Sequence, residues 1–166
     1  MTGDACHRLN SSYCGIMAQQ TWADFLLWEV VLNEHPEVGK IIELGTGAGG
    51  FALFLAHQAR ARGLAFRTYD CESPECEIPG FVLLDYVRAT QRVAREFTRK
   101  PVILHSDGGD KIRDFELFSP QLKPGSLIVC HDWDYVFEPA DYRFELQPIH
   151  DDLRHELGSM SRVFIA

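Results

Sequence analysis

The stretch Lys40-Ile-Ile-Glu-Leu-Gly-Thr-Gly-Ala-Gly-Gly-Phe51 decides the fold of this chain. It begins as an apolar strand over Lys40–Leu44, passes through a glycine-rich turn and opens an apolar helix at Phe51. Glycines permit positive φ angles and bring bare backbone close to a ligand, and the N-terminus of a helix offers unpaired N–H groups. This order of strand, glycine turn and helix indicates a nucleotide-type pocket at the carboxyl end of a parallel strand.

An acidic residue follows the next apolar run and strengthens this interpretation. Residues 65–69 read as a second strand, and Asp70 stands directly after it. A carboxylate in this position accepts hydrogen bonds from the hydroxyls of a ribose. The glycine motif alone is weak evidence, but together with the strand, the helix and the acid it predicts a binding site for a cofactor that contains a nucleoside.

Length, composition and charge restrict the function classes. The chain has 166 residues, of which 46% are hydrophobic, as expected for one globular domain with its own core. Its net charge of −8 argues against nucleic acid or an anionic membrane as a partner. No apolar run reaches transmembrane length and the first residues do not resemble a signal peptide, so we expect a cytoplasmic protein.

The cysteines do not form a recognisable metal-binding motif. The five cysteines include no CxxC pair, which argues against a zinc ribbon. Cys71 and Cys76 flank an acidic loop and are candidates for pairing or metal binding, but free thiols are the simpler expectation in a reducing compartment. The positions are Cys6, Cys14, Cys71, Cys76 and Cys130.

The rest of the chain alternates between predicted helices and strands. Thr21 is the expected N-cap of a helix with Asp24 at its third position, within an N-terminal helix or lid region over residues 1–36. Helical spacing of apolar residues predicts further helices over 50–62 and 83–97, a short one over 112–118 and a last one that starts at Pro148. The remaining predicted strands cover residues 102–104, 126–130 and 162–165.

This alternation predicts a single α/β domain with a mostly parallel, Rossmann-like sheet that is covered by helices on both faces. With five strands, the sheet would lack one strand between residues 70 and 101 and a hairpin after Ile165, compared with a seven-stranded cofactor-binding sheet. Such a small core, with Phe81, Phe137 and Phe144 in or beside loops, leads us to expect a homo-oligomer.

Three segments together resemble the class I S-adenosylmethionine-dependent methyltransferases. They are Glu43-Leu-Gly-Thr-Gly-Ala-Gly-Gly50, the acid Asp70, and Leu122-Lys-Pro-Gly-Ser-Leu-Ile-Val-Cys-His-Asp132. An apolar helix that contains an aspartate and precedes the glycine turn is similar to the cephalosporin-hydroxylase-like and small-molecule O-methyltransferase branch. The resemblance covers roughly residues 15–135 and implies a shortened version of that fold.

The resemblance implies where S-adenosylmethionine would bind. The backbone of residues 45–49 would pack against its methionine part near Glu43, Asp70 would hold the ribose, and adenine would lie near Cys71 or the loop after Asp107. The cofactor-binding residues implied in this way are Glu43, Gly45, Thr46, Gly47, Gly49, Gly50, Asp70, Cys71 and Asp107.

Polar residues follow two neighbouring predicted strands at the same edge of the sheet. His105 and Asp107 follow the strand over 102–104, and His131, Asp132 and Asp134 follow the strand over 126–130. In the metal-dependent branch of the resembled family, residues in these places hold Mg²⁺, which implies Asp107, His131 and Asp132 as ligands. The imidazole suits Mn²⁺ or Fe²⁺ better than Mg²⁺. Alternatively, His131 is a metal-free general base, and we include His131, Asp132 and His105 as catalytic candidates.

The predicted activity is methyl transfer from S-adenosylmethionine to an oxygen, or less readily a nitrogen, of a small molecule. Two alternatives stay open at this point. Gly45, Gly47 and Gly50 also satisfy GxGxxG, which is compatible with an NAD(P)-dependent oxidoreductase. The chain length is also compatible with a non-catalytic, cofactor-binding partner subunit.

Overall fold

The computed structural model describes residues 11–97, 100–136 and 146–166. The strands are β1 (Ser12–Tyr13), β2 (Ile16–Met17), β3 (Lys40–Leu44), β4 (Ala65–Asp70), β5 (Phe81–Leu83), β6 (Val102–Ser106), β7 (Leu127–Cys130), β8 (Gln147–Ile149) and β9 (Arg162–Ile165). The helices are α1 (Trp22–Glu34), α2 (Gly50–Arg62), α3 (Thr90–Ala94), α4 (Lys111–Phe118), α5 (Trp133–Val136) and α6 (Asp151–Leu157), and a 3₁₀ turn spans Ser119–Gln121.

A seven-stranded sheet in the order β5-β4-β3-β6-β7-β9-β8 forms the centre of the fold. The strands β3 to β7 pair in parallel, whereas β9 runs antiparallel to both β7 and β8. Successive residues of a strand point to opposite faces, so Ile41 joins the core under α1 and α2 while Ile42 joins the core under α3 and α4. The predicted α/β fold with a mostly parallel sheet covered on both faces is confirmed.

The expectation of five strands is wrong, because β5 and β8 complete the sheet. Residues 81–83 form β5 beside β4, although the spacing of the apolar residues predicted a helix there. Leu83 is 60% exposed, so it does not contribute to a buried helix face. Phe81, which we expected in or beside a loop, lies partly buried in this edge strand.

The second strand that the sequence analysis did not predict is β8, which precedes β9 in the chain and pairs with it. Pro148 lies in edge strand β8 instead of starting a helix, and α6 begins only at Asp151. Proline is compatible with an edge strand because its missing N–H costs no ladder hydrogen bond there. His150 adopts a left-handed conformation, with φ of 60°, and makes the bend between the two elements.

Several smaller expectations are confirmed or fall outside the described residues. Cys14, Cys71, Cys76 and Cys130 are free thiols, as predicted. Cys6, Phe137 and Phe144 lie outside the described residues. Among the helices of the described ranges, none is long and apolar enough to span a membrane.

Helix α1 starts with the predicted capping box, which also connects this helix to the segment before β9. Asp24 Oδ2 accepts hydrogen bonds from the Thr21 backbone N–H (2.9 Å) and the Thr21 hydroxyl (2.6 Å). Its other oxygen accepts from the Ser159 hydroxyl (2.6 Å) and the Ser161 N–H (3.1 Å), just before β9. Asp24 is completely buried, so these four donors compensate the loss of water around its carboxylate.

A second buried carboxylate supports the loop that follows β6. Asp114 in α4 accepts a hydrogen bond from the Tyr86 hydroxyl (3.2 Å). A Cβ atom on Gly108 would overlap the Tyr86 hydroxyl and lie 2.9 Å from Asp114 Oδ2, so the loop rests directly on this pair. Burial raises the pKa of Asp114 to about 7, although the hydrogen bond from Tyr86 opposes this shift.

Removing the Asp24 carboxylate should destabilise the fold. In Asp24→Ala, the N–H of Ser161 and the Ser159 hydroxyl lose their buried acceptor and α1 loses its capping box. We expect the free energy of unfolding to fall by about 3 kcal/mol in urea titrations. Glu116→Ala, an exposed position in α4, is the control and should change stability by less than about 0.5 kcal/mol. Equal stabilities of the two variants would contradict the role of Asp24.

The stability of the protein should depend on the protonation of Asp114. The folded protein retains this proton up to about pH 7, while the unfolded chain releases it near 3.8. The stabilising contribution is therefore fully present below about pH 4 and is lost as the pH rises through 7. Asp114→Asn, which is permanently neutral, should gain stability relative to the wild type between pH 4 and pH 8 in urea titrations. Glu116→Gln is the matched control, and a parallel pH profile of the wild type and Asp114→Asn would refute the assignment.

Candidate active site

The glycine turn after β3 is shaped by close contacts with other parts of the protein. Gly45 has a φ of 92°, and a Cβ atom there would lie 2.8 Å from the backbone nitrogen of Gly108 and would overlap Asp107. Gly47 has a φ of 53° and faces the side chain of Gln19. Glycine adopts these backbone angles without strain and leaves room for both close approaches.

The two later glycines of the turn face protein. A Cβ atom on Gly49 would lie 3.1 Å from Ile78 and 3.2 Å from Pro74, both in the loop between β4 and β5. On Gly50 it would overlap the carbonyls of Ile16 and Met17 in β2. Gly45 and Gly47 line an open cavity, whereas Gly49 and Gly50 are covered by neighbouring segments of the chain.

Asp70 holds the glycine turn in place. Its Oδ2 accepts hydrogen bonds from the backbone N–H groups of Thr46 (2.8 Å) and Gly47 (3.0 Å), and its Oδ1 accepts from the N–H of Glu72 (3.1 Å). A carboxylate offers about four acceptor sites, of which three are used here. One acceptor site of Asp70 is left beside these three N–H groups, and the Cys71 thiol, a weak donor, hydrogen-bonds to the same carboxylate.

A cavity of about 400 Å³ lies between the glycine turn and the ends of β6 and β7. Its walls come from three parts of the chain. They are Met17, Ala18 and Gln19 after the N-terminal hairpin, Glu43, Gly45, Thr46, Gly47 and Phe51 around the turn, and Asp107, Lys111, His131 and Asp132 at the strand ends. The volume is in the range of small-molecule sites.

The predicted strand-end residues Asp107, His131 and Asp132 converge in this cavity. His131 Nδ1 lies 3.0 Å from Asp107 Oδ1 and 3.4 Å from Asp132 Oδ1, because β6 and β7 are adjacent parallel strands. One ligand atom from each of the three residues lies within 4.8 Å of the others, close enough for one ion. The expected convergence is therefore present.

Ion pairing determines the protonation states of this cluster. Burial opposes a charge on His131, but the carboxylates of Asp107 and Asp132 outweigh it and raise the pKa of His131 to about 10. The hydrogen bond with His131 lowers the pKa of Asp132 to about 2. The cluster consequently combines an imidazolium with two carboxylates at neutral pH.

Lys111 is a fourth member of the cluster that the sequence analysis missed. Its Nζ lies 3.1 Å from Asp132 Oδ2 and 3.4 Å from Asp107 Oδ1. The side chain is 11% exposed, and Lys111 stands at helical spacing from Asp114, Phe115 and Phe118 on the buried face of α4. A lysine on an otherwise buried helix face, four residues after a candidate ligand, is the sequence signal that identifies it.

Gln20 is a second residue that the sequence analysis missed. Its side-chain amide donates to Asp107 Oδ2 at 2.6 Å, so the segment before α1 orients this carboxylate. Gln19 and Asp132 have positive φ angles of 56° and 54°. Both of these strained residues line the cavity, which is where such strain is concentrated in proteins.

His105 does not reach the cavity, in contrast to the prediction. It belongs to β6, which extends to Ser106, whereas we expected the strand to end at Leu104. The ring is completely buried between Trp28 and Phe51, with both centroids at 5.2 Å. Its Nδ1 lies 3.5 Å from Glu43 Oε1, and Glu43 stands between His105 and the cavity. The burial of His105 argues against contact with a substrate.

Glu43 is itself buried and lines the cavity. Burial raises the pKa of its carboxyl group, although His105 opposes this shift. Glu43 Oε2 has no hydrogen-bond partner among the described residues. Three other polar residues of the predicted site region lie outside the cavity lining. Asp70 holds the glycine turn, Cys71 is exposed after β4, and Asp134 pairs with Arg154.

Comparisons with known proteins find similarity in structure and not in sequence. No protein-family model matches the chain, and no curated protein matches it. A structure of CmcI with SAH superimposes with a TM-score of 0.68 and 16% identity over 94% of this chain and 81% of that chain. CmcI with Mg and SAM gives a TM-score of 0.66 and 15% identity over 94% and 76%.

A third solved structure shares a smaller part of the fold. The MycE methyltransferase of the mycinamycin biosynthetic pathway, in complex with Mg, SAH and mycinamycin VI, gives a TM-score of 0.50 at 17% identity over 68% of this chain and 34% of that chain. The present chain is the shorter one in each case. Together with the sheet order, these similarities show that the chain shares the Rossmann-like α/β fold of the CmcI structures, as the sequence analysis predicted.

Proposed function

We propose that this protein transfers the methyl group of S-adenosylmethionine to an oxygen of a small molecule. The proposal rests on the observation that one and the same cavity is lined by the glycine turn and by the strand-end cluster of Asp107, Lys111, His131 and Asp132. A methyltransferase has to hold a donor and an acceptor in line, and this cavity has a backbone-lined end and a charged end. The similarity to CmcI structures that contain SAH or SAM supports the same cofactor.

The glycine end fits S-adenosylmethionine. Gly45 and Gly47 present bare backbone to the cavity, and the unpartnered Glu43 Oε2 is a buried acceptor beside them. When bound, this cofactor supplies a methyl group on a positively charged sulfur. We assign Glu43 and the backbone of Gly45, Thr46 and Gly47 to its methionine part.

The ribose position follows from Asp70. Since three of about four acceptor sites of this carboxylate hold the turn and the start of the next loop, it accepts a hydrogen bond from one ribose hydroxyl rather than from both. We keep Cys71 and the loop after Asp107 as the proposed surroundings of the adenine. Gly49 and Gly50 contribute by letting the hairpin and the β4–β5 loop close over the turn.

The strand-end cluster is the proposed acceptor end. Asp132 lines the cavity and is 27% exposed, so its carboxylate accepts a hydrogen bond from the acceptor hydroxyl. Lys111 and His131 provide N–H donors beside it, which stabilise negative charge that develops on the acceptor oxygen. This arrangement favours an oxygen acceptor over an uncharged amine, which would develop positive charge.

The same cluster also fits a divalent metal ion by its donor types. Once His131 has lost its proton, Asp107, His131 and Asp132 offer two carboxylates and one imidazole within 4.8 Å, a donor set that suits Mn²⁺ or Fe²⁺ better than Mg²⁺. When bound, such an ion lowers the pKa of a coordinated hydroxyl. The chain itself provides the orientation of these ligands through Gln20, which fixes Asp107.

Cofactor binding is tested with a pair of glycine variants. In Gly47→Ala the added Cβ atom would overlap Oε1 of Gln19, which also lines the cavity. The Gln19 side chain has to move and the cavity wall changes shape, so calorimetry should show SAH binding at least tenfold weaker than that of the wild type. Gly63→Ala is the matched control: Gly63 also has a positive φ, of 68°, but has open space around it. Both variants should lose about 1 kcal/mol of stability from backbone strain, and only Gly47→Ala should lose affinity.

The binding test also separates the alternatives. Binding of NAD in preference to SAM and SAH would replace the methyltransferase proposal by the oxidoreductase one. If a folded Gly47→Ala variant binds SAH with the same affinity as the wild type, the cofactor does not bind in this cavity.

Turnover tests the acceptor end. Asp132→Asn preserves the shape and tolerates the positive φ of this position, but removes the negative charge. With a panel of phenols, sugars and hydroxamates as acceptors and SAH release as the readout, we expect kcat to fall by roughly 100-fold with SAH affinity unchanged. Asp152→Asn, on the exposed side of α6, is the control and should match the wild type. Unchanged turnover in Asp132→Asn would show that the cluster is structural.

A further inference from the structure

The position of Lys111 within the strand-end cluster has a consequence for metal binding. Its ammonium group lies against Asp132 Oδ2 (3.1 Å) and Asp107 Oδ1 (3.4 Å), and these two carboxylates belong to the group of three residues that could hold a metal ion. Lys111 is the first residue of α4, and α4 packs on the face of the sheet opposite to α1. The ammonium group therefore enters the cluster from that face.

The other atoms of the two carboxylates are also engaged. Asp107 Oδ1 is shared with His131 Nδ1 at 3.0 Å, and Asp107 Oδ2 accepts from the Gln20 amide at 2.6 Å. Asp132 Oδ1 lies 3.4 Å from His131 Nδ1. Each carboxylate oxygen thus has an N–H or N–H⁺ neighbour from the chain itself, and the cluster is held together by its own cations.

We propose that Lys111 is the resident cation of this cluster and competes with divalent metal ions for the carboxylates of Asp107 and Asp132. A metal ion that enters must displace the ammonium group from both oxygens. It then faces the positive charge of Lys111 in a half-buried cavity, where screening by water is weak. The charged side chains of the cluster therefore pair with one another without a metal ion, and the wild-type protein binds a divalent metal ion weakly.

The inference shares its site with the proposed function but does not depend on S-adenosylmethionine. Mn²⁺ binding to the ligand-free full chain, followed by electron paramagnetic resonance of the free ion, measures it directly. Removing the charge in Lys111→Met should increase the Mn²⁺ affinity by roughly tenfold or more, since one like charge a few ångströms from the ion is gone. Lys111→Arg, which retains the charge, and Lys123→Met, at an exposed lysine, should bind Mn²⁺ as weakly as the wild type.

Thermal unfolding gives a second, independent readout. Without metal, Lys111→Met should melt at a lower temperature than the wild type because Asp107 and Asp132 lose one of the two cations beside them. Added Mn²⁺ should raise the melting temperature of this variant much more than that of the wild type. Lys111→Gln, which is also uncharged but retains an N–H donor, replaces Lys111→Met if the latter does not fold.

The outcomes are distinct from those of the proposed function. Equal or weaker Mn²⁺ binding by a folded Lys111→Met or Lys111→Gln variant would overturn the competition, whatever the protein does with SAM. Conversely, a failure to bind SAH leaves the Mn²⁺ measurement unaffected, because no cofactor is present in it.

Discussion

The buried carboxylate of Asp24 is the interaction on which the arrangement around the site depends. It caps α1 through Thr21 and, with its other oxygen, binds Ser159 and Ser161 just before β9. A charge without water is costly unless several donors satisfy it, so these segments are forced to meet at one point. Asp24 Oδ2 also lies 3.9 Å from His131 Nε2. The junction between the start of α1 and the segment before β9 is therefore in contact with the strand-end cluster.

The sheet order then determines which charges share the cavity. Because β6 and β7 are parallel neighbours, Asp107, His131 and Asp132 leave the sheet at the same edge, and α4 returns Lys111 to the same point. Two carboxylates in a partly buried site repel each other, and the ammonium and imidazolium groups between them remove that penalty. The balance of charge in the cluster is thus a property of β6, β7 and α4 together and of no single motif.

The glycine turn has a structural role beside the binding role that we propose for it. Asp70 accepts from the backbone of Thr46 and Gly47, so the acid that ends β4 fixes the conformation of the turn that follows β3. Gly45 admits the backbone of the loop after β6 at close range, which joins the glycine-lined end of the cavity to its charged end. The turn is shaped by protein contacts before any ligand binds, which preorganises the pocket.

The sequence by itself determined the strand, turn and helix at Lys40–Leu44 and Gly50–Arg62, the capping box of α1 and the convergence of Asp107, His131 and Asp132. These features depend on local periodicity, on glycine and capping chemistry, and on the rule that parallel strands end at one edge. The tertiary structure alone decided the edge strands β5 and β8, because strands of three residues carry too little periodicity to be distinguished from helices or loops. It also decided the burial of His105 and the entry of Lys111 into the cluster. Both depend on which neighbours pack against a residue, and that is fixed only when distant segments meet.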